Sequence, residues 1–131
     1  LTRWGAMIEA SKKVKPWRTD VKEAALECYS SGALNLPVKA EIEFVFPRPK
    51  SHYGTGKNAD VLKPSAPKFC TSRGNGDIDK LSRSTLDGLS VSAGGSVLED
   101  DSLVVELNTK KRYINKDELP GAYIAISSIC D

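Results

Sequence analysis

Residues 38–46 read VKAEIEFVF. Val38, Ala40, Ile42, Phe44 and Phe46 alternate with Lys39, Glu41, Glu43 and Val45, the period of two expected of a strand with one buried face and one wet face. Pro47 and Pro49 end it, because proline has no amide hydrogen to offer a sheet ladder. On the N-terminal side, Trp17, Val21, Ala24, Ala25 and Cys28 recur at helical spacing and predict a helix over Lys15–Ser31, with Pro16 tolerated in its first turn. On the C-terminal side, residues 47–76 hold four of the seven prolines and four of the ten glycines. They show no sustained period and predict a long, weakly ordered loop. A second helix is expected from Asp77 or Asp79 to about Leu89, burying Ile78, Leu81, Thr85, Leu86 and Leu89. After the Ser92-Ala93-Gly94-Gly95 turn, Ser102–Tyr113 and Ala122–Ile129 read as strands. This order of elements implies an α/β (α+β) fold, a mixed β-sheet with helices packed on it. The chain opens at Leu1 without a methionine, and a first strand is expected to lie upstream of it.

Length and composition narrow the functional classes. With 131 residues and 14.2 kDa, residues 1–131 suit a single domain. Hydrophobic residues at 40% and charged residues at 27% allow a real core and exclude a disordered or collagenous chain. No apolar run approaches the roughly 20 residues of a membrane helix, and no signal segment opens the chain, so a cytoplasmic protein with no membrane partner is expected. The three cysteines include no CxxC pair, which argues against a disulfide framework or a cysteine zinc site. His52 is the only histidine, so a multi-histidine zinc site is also excluded. Gly54-Thr55-Gly56 is too short and wrongly placed to cradle nucleotide phosphates, and no nucleotide cofactor is expected.

The net charge of +2 conceals a polarity. Residues 1–70 carry twelve Lys and Arg against seven Asp and Glu, residues 71–106 three against seven, and residues 107–131 four against three. A basic body around an acidic block suits an enzyme that binds nucleic acid and uses metal ions, because phosphates need cations and metals need carboxylates. Asp77 and Asp79 flank Ile78 where the loop enters the second helix, so both carboxylates can turn to one side while Ile78 enters the core. Glu99-Asp100-Asp101 follows the glycine turn and precedes Val104-Val105, at the mouth of a strand. Such carboxylates suit Mg2+, a hard cation that takes oxygen ligands and keeps waters for a phosphate to displace. The same residues also read as a helix N-cap at Asp79 and as turn solvation at Asp100 and Asp101. Arg83 lies about 40° from Asp79 around a helix turning roughly 100° per residue. It can bind a phosphate bidentately, or alternatively pair with Asp87 four residues on.

The stretch GDIDKLSRSTLDGL, followed by LEDDSLVVEL and preceded by RPKSHYGTG, resembles the RusA-type Holliday junction resolvases, in particular their bacteriophage-borne branch. The resemblance implies a Mg2+-dependent endodeoxyribonuclease, with Mn2+ as a substitute, that cleaves four-way DNA junctions by paired nicks as a homodimer. It places the family's three catalytic carboxylates on Asp77, Asp79 and Asp101, with Asp87 and Asp100 further acidic positions, and its catalytic lysine on Arg83; Asp77, Asp79, Asp100 and Asp101 are the expected metal ligands. Lys80 stands where Asn is usual, Leu103 where Gln is usual, and Asn75-Gly76 where Lys-Pro is usual. Arg83 supplies charge but no proton, since its pKa is too high.

Arg48, Lys50, His52, Tyr53, Lys57 and Lys80 are the expected DNA contacts, Tyr53 stacking on an unpaired base at the branch point and the cations on phosphates. Two other functions fit the same residues. One is a less selective nuclease acting on flaps or single strands. The other is a branched-DNA-binding protein with weak or no catalysis. The dimer is expected to use sheet residues, because Val104, Val105 and the run Tyr123–Ile126 offer apolar side chains on both faces.

Overall fold

The computed structural model describes residues 3–9, 16–95 and 97–129. Its regular elements are β1 (Arg3–Glu9), α1 (Trp17–Cys28), β2 (Val38–Phe46), α2 (Ile78–Leu89), β3 (Val104–Tyr113) and β4 (Gly121–Ser128). The four strands form one mixed sheet in the order β1-β4-β2-β3. β4 runs antiparallel to β1 and β2, and β3 runs parallel to β2. β1, a strand not read from the sequence, pairs with β4 from Arg3↔Ser127 to Glu9↔Gly121. It went unread because Gly5 breaks its short alternation and an edge strand needs only one neighbour.

The period-two reading of β2 holds from Val38 to Phe44, whereas Val45, expected on the wet face, is buried and Phe46 is only half-buried. Val38, Ala40, Ile42 and Phe44 are buried with Ile8, Ala122, Ile124 and Ile126 beneath the helices, while Glu41 is exposed on the opposite face. α1 contributes Val21 and Ala25 to this core. Its expected start at Lys15 lies outside the described residues, and Pro16 stands at the N-cap position. Cys28, expected on the buried stripe, is exposed. The helix ends there, Tyr29 turns extended, and Tyr29 packs against the core instead. α2 buries Thr85 and Leu89 as expected, and also Ser82 and Gly88. Those two were missed because neither is apolar enough to count in a hydrophobic period. Ser82 Oγ lies 2.9 Å from Thr109 Oγ1, docking α2 on β3, and Trp17 Nε1 donates to Thr85 Oγ1 at 2.9 Å, joining the helices.

The long loop is irregular but tied, which corrects the expectation of weak order. Lys63 N donates to His52 O at 2.9 Å, Gly54 N to Val61 O at 3.0 Å, and Tyr53 and Leu62 form an antiparallel bridge. Arg48 Nη1 spans the loop to Pro67 O at 2.7 Å. Such pairs leave no hydrophobic period to read in sequence.

Beyond α2 the chain folds back sharply. Gly95 N donates to Ser90 O at 2.6 Å, Val97 N and Leu98 N both donate to Leu89 O at 2.9 Å, and Glu99 N donates to Leu34 O at 2.9 Å. A Cβ at Gly95 would lie 2.5 Å from Gly88 O and from Leu89 C. Both are backbone atoms and cannot yield cheaply. Gly95→Ala is therefore expected to destabilise the protein by about 1–3 kcal/mol, the scale of overpacking, with a lowered urea midpoint at unchanged slope.

On the open face of the sheet, Arg112 is held between two carboxylates. It pairs with Glu43 on β2 and makes a fork of two 2.7 Å bonds to Glu118, which also accepts from Tyr123 Oη at 2.9 Å. Burial by itself would raise the Glu43 carboxyl, but the Arg112 and Lys110 hydrogen bonds outweigh it and lower its pKa. Glu118 is lowered further, from 4.5 to about 2, chiefly by the Arg112 hydrogen bonds. A carboxyl with a depressed folded-state pKa stabilises the fold above its ordinary pKa and loses that contribution as protons return. Stability is thus expected to decline as pH falls from about 4.5 towards 2, and Glu118→Gln to flatten that part of the curve in thermal melts.

Candidate active site

Asp77 occupies the N-cap position of α2, yet its side chain makes no capping hydrogen bond. An aspartate at that position ordinarily accepts from the first-turn amides. Here the carboxylate is 69% exposed, with Lys80 Nζ 3.7 Å from Oδ2 as its partner. Asp79, in the first turn, is exposed and has no hydrogen bond or ion pair among the described residues. The N-cap reading of Asp79 does not hold, since the cap position belongs to its neighbour Asp77. Arg83, one turn further along, is also exposed, and no ion pair joins it to Asp87. Among the described residues, Asp79 and Arg83 thus have no side-chain hydrogen bond or ion pair, and Asp77 has only the Lys80 contact.

The second acidic group divides into two roles. Asp100 caps the short 3₁₀ turn Asp101–Leu103, accepting from Ser102 N at 3.0 Å and from Ser92 Oγ. Hydrogen bonding from the Ser102 side chain, then from the Ser92 hydroxyl and the Ser102 amide, holds its pKa at about 2. Both of its oxygens are thus engaged. Asp101 is exposed with no side-chain partner among the described residues, at a turn that touches α2. Asp100 therefore holds the turn that presents Asp101.

Among the described residues, no three carboxylate, imidazole or thiolate groups stand together closely enough to hold a metal ion. The structure thus presents Asp77 and Asp79 at one helix end and Asp101 on a neighbouring turn without a preformed cage. Mg2+ needs no all-protein cage, since it is commonly held by one or two carboxylates with water and substrate phosphate completing its shell. The donors here are all oxygen, exposed and, apart from the Lys80 contact to Asp77, unpartnered, which fits a hard cation.

A family model, endodeoxyribonuclease RusA, matches residues 1–127 of the 131. The chain belongs to the RusA endodeoxyribonuclease family. RusA-type enzymes are Holliday junction resolvases, and the single α+β domain with a mixed sheet is consistent with that membership. No curated protein matches the chain. Among the described residues no helix is long and apolar enough to cross a membrane.

Within this RusA-family domain, the expected DNA contacts separate into two sets. Lys50, Lys57 and Lys80 are exposed. Arg48 and His52 instead pack around Tyr113, the Arg48 guanidinium 4.4 Å from the ring centroid and the His52 ring edge-on at 5.4 Å. Tyr53 is half-buried and lines a cleft of about 910 Å³ between the loop and the end of β3, with Arg48, Lys68, Tyr113 and Lys116 on the same walls. Lys68 and Lys116 were not read from sequence, because they lie far apart in the chain and belong to no motif. Lys111 belongs to the basic group Lys110-Lys111-Arg112 that ends the strand read over Ser102–Tyr113, but it was not among the expected DNA contacts. It lies on β3, and its Nζ donates to Gly76 O, next to Asp77, at 2.9 Å.

Proposed function

We propose that this protein is a Mg2+-dependent endodeoxyribonuclease, with Mn2+ as a substitute, that resolves four-way DNA junctions by paired nicks as a homodimer encoded by a phage or prophage. The observation that carries the reading is the uncapped N-terminus of α2. Asp77 holds the cap position without capping, and Asp79 and Arg83 beside it are solvent-facing and unclaimed by the fold. Asp77, Asp79 and Asp101 would hold the metal. When bound, Mg2+ supplies Lewis acidity at phosphorus and lowers the pKa of a coordinated water. Arg83 carries a planar guanidinium that binds non-bridging phosphate oxygens bidentately and offsets charge gained in an in-line displacement. Lys50, Lys57 and Lys80 meet neighbouring phosphates, while Arg48 and His52 brace Tyr113 and leave Tyr53 at the cleft to stack on an unpaired base.

The dimer follows from symmetry. An open four-way junction is two-fold symmetric, resolution takes two opposed nicks, and the described residues of each chain offer one candidate carboxylate site, so a two-fold dimer matches enzyme to substrate. Sheet residues support such an interface. β3 is an edge strand pairing only with β2, and Val105 and Leu107 on it are 62% and 43% exposed, an edge that proteins ordinarily cover. Light scattering at micromolar concentration tests the dimer.

The decisive assay incubates the protein with a labelled four-way junction, with and without Mg2+, beside flap and single-stranded substrates. Paired symmetric nicks in Mg2+ alone are expected. Preference for flaps would indicate a less selective nuclease, and retention without nicking a DNA-binding protein.

A further inference from the structure

Three consecutive cations near the end of β3 have different fates. Lys110 pairs with Glu43 at 3.0 Å, and Arg112 is held by Glu43 and Glu118. Successive residues of a strand point to opposite faces, so Lys111 lies on the helix side of the sheet. There it meets no carboxylate. Its ammonium donates to the Gly76 carbonyl at 2.9 Å, and its two remaining N–H donors have no acceptor among the described residues. The side chain is only partly exposed, so water offsets its charge incompletely, and such a cation favours an anionic neighbour.

Its position gives that preference a use. Gly76 immediately precedes Asp77, which puts the ammonium one peptide unit from the α-carbon of the first candidate carboxylate. Gly76 has φ +87°, a conformation that L side chains rarely adopt, and the Lys111 bond fixes its carbonyl. Asp77, Asp79 and Asp101 bring three negative charges, against which Arg83 brings one positive charge, and Lys80 is drawn to Asp77. A phosphodiester approaching this group meets repulsion, which a nearby cation not spent on a carboxylate relieves.

We propose that Lys111 is a phosphate-binding residue of the Asp77–Asp79 site, its ammonium braced on the Gly76 carbonyl and its free N–H donors directed to a non-bridging oxygen of the DNA backbone. The proposal rests on the nuclease reading above and adds to it a basic residue supplied by the sheet instead of the helix.

The test compares the native protein, Lys111→Gln, Lys111→Arg and Asp79→Asn on one labelled four-way junction. Binding is measured in EDTA across a salt series, so that it is read without metal or turnover, and single-turnover cleavage is measured in Mg2+. Lys111→Gln is expected to reduce the slope of log affinity against log salt by about 1, the signature of one lost phosphate contact. Its cleavage is expected to fall roughly 10²-fold or more. Lys111→Arg, which keeps the charge, is expected to keep the native slope and most of the cleavage. A native slope and rate in Lys111→Gln would overturn the proposal. So would loss of cleavage in both Lys111 variants at an unchanged slope, which would make the Gly76 bond purely structural. If Lys111→Gln does not fold, Lys111→Arg decides: a reduced slope there overturns the proposal. Asp79→Asn separates the two levels. If it cleaves like the native protein, the site reading itself falls and Lys111 with it; if it is inactive while Lys111→Gln is native-like, only the Lys111 role falls.

Discussion

Asp79→Asn is expected to abolish junction cleavage while junction binding is retained or tightened. The substitution keeps the size of the side chain and removes one negative charge from a group that must both hold a cation and admit a phosphate. Losing the charge weakens the cation site, and losing the repulsion helps the DNA. The fold should notice little. Asp79 is exposed and without a partner among the described residues, so the cost is the small favourable term of an anion in the first helical turn, about 0.3–1 kcal/mol. Gel-shift and cleavage assays on the same preparation, with a thermal melt as control, check all three expectations. Cleavage at the native rate would remove Asp79 from the site.

The second large effect is expected at Arg83. Arg83→Ala should lower the rate of the chemical step roughly 10²-fold or more, the scale of losing one preorganised donor to a developing charge. Arg83→Lys should keep much of the activity, since lysine is the residue usual at this position in the resembling family. The alternative reading, a helix-surface pair with Asp87, predicts a loss of stability with little loss of rate. The structure does not contain that pair, so the melting temperature of Arg83→Ala is expected to stay close to native. Single-turnover kinetics separate the chemical step from binding. A variant that melts lower but cleaves normally would restore the ion-pair reading.

The contrast between Arg83 and Lys111 shows where a sequence is informative about a site. Arg83 was found because a helix places residues 79 and 83 on one face whatever surrounds them. The uncapped state of Asp77 was not readable, because a capping residue and a ligand are the same residue type at the same position. Only the observed absence of a capping bond tells them apart. The twin roles of Asp100 and Asp101 separated for a similar reason. Neighbours in sequence, they differ because Ser92 reaches Asp100 from across the glycine turn.

What the sequence by itself determined is whatever repeats along the chain with its own period. VKAEIEFVF had to be a strand, a helix with a buried stripe had to run from Asp77 or Asp79 to about Leu89, and the acidic residues had to fall at the ends of such elements. These are consequences of side-chain geometry in a strand or helix and of water on one side only. Tertiary structure alone decided the order β1-β4-β2-β3, the parallel pairing of β2 with β3 and the presence of β1 at an edge. It also decided the burial of Ser82 and Gly88, the clamping of Arg112 and the seat of Lys111 beside Gly76. Each of these depends on contacts between residues tens of positions apart, whose partners are set by which faces pack together. No local pattern records that choice, because the same strand satisfies its own period equally well beside any neighbour that covers its apolar face.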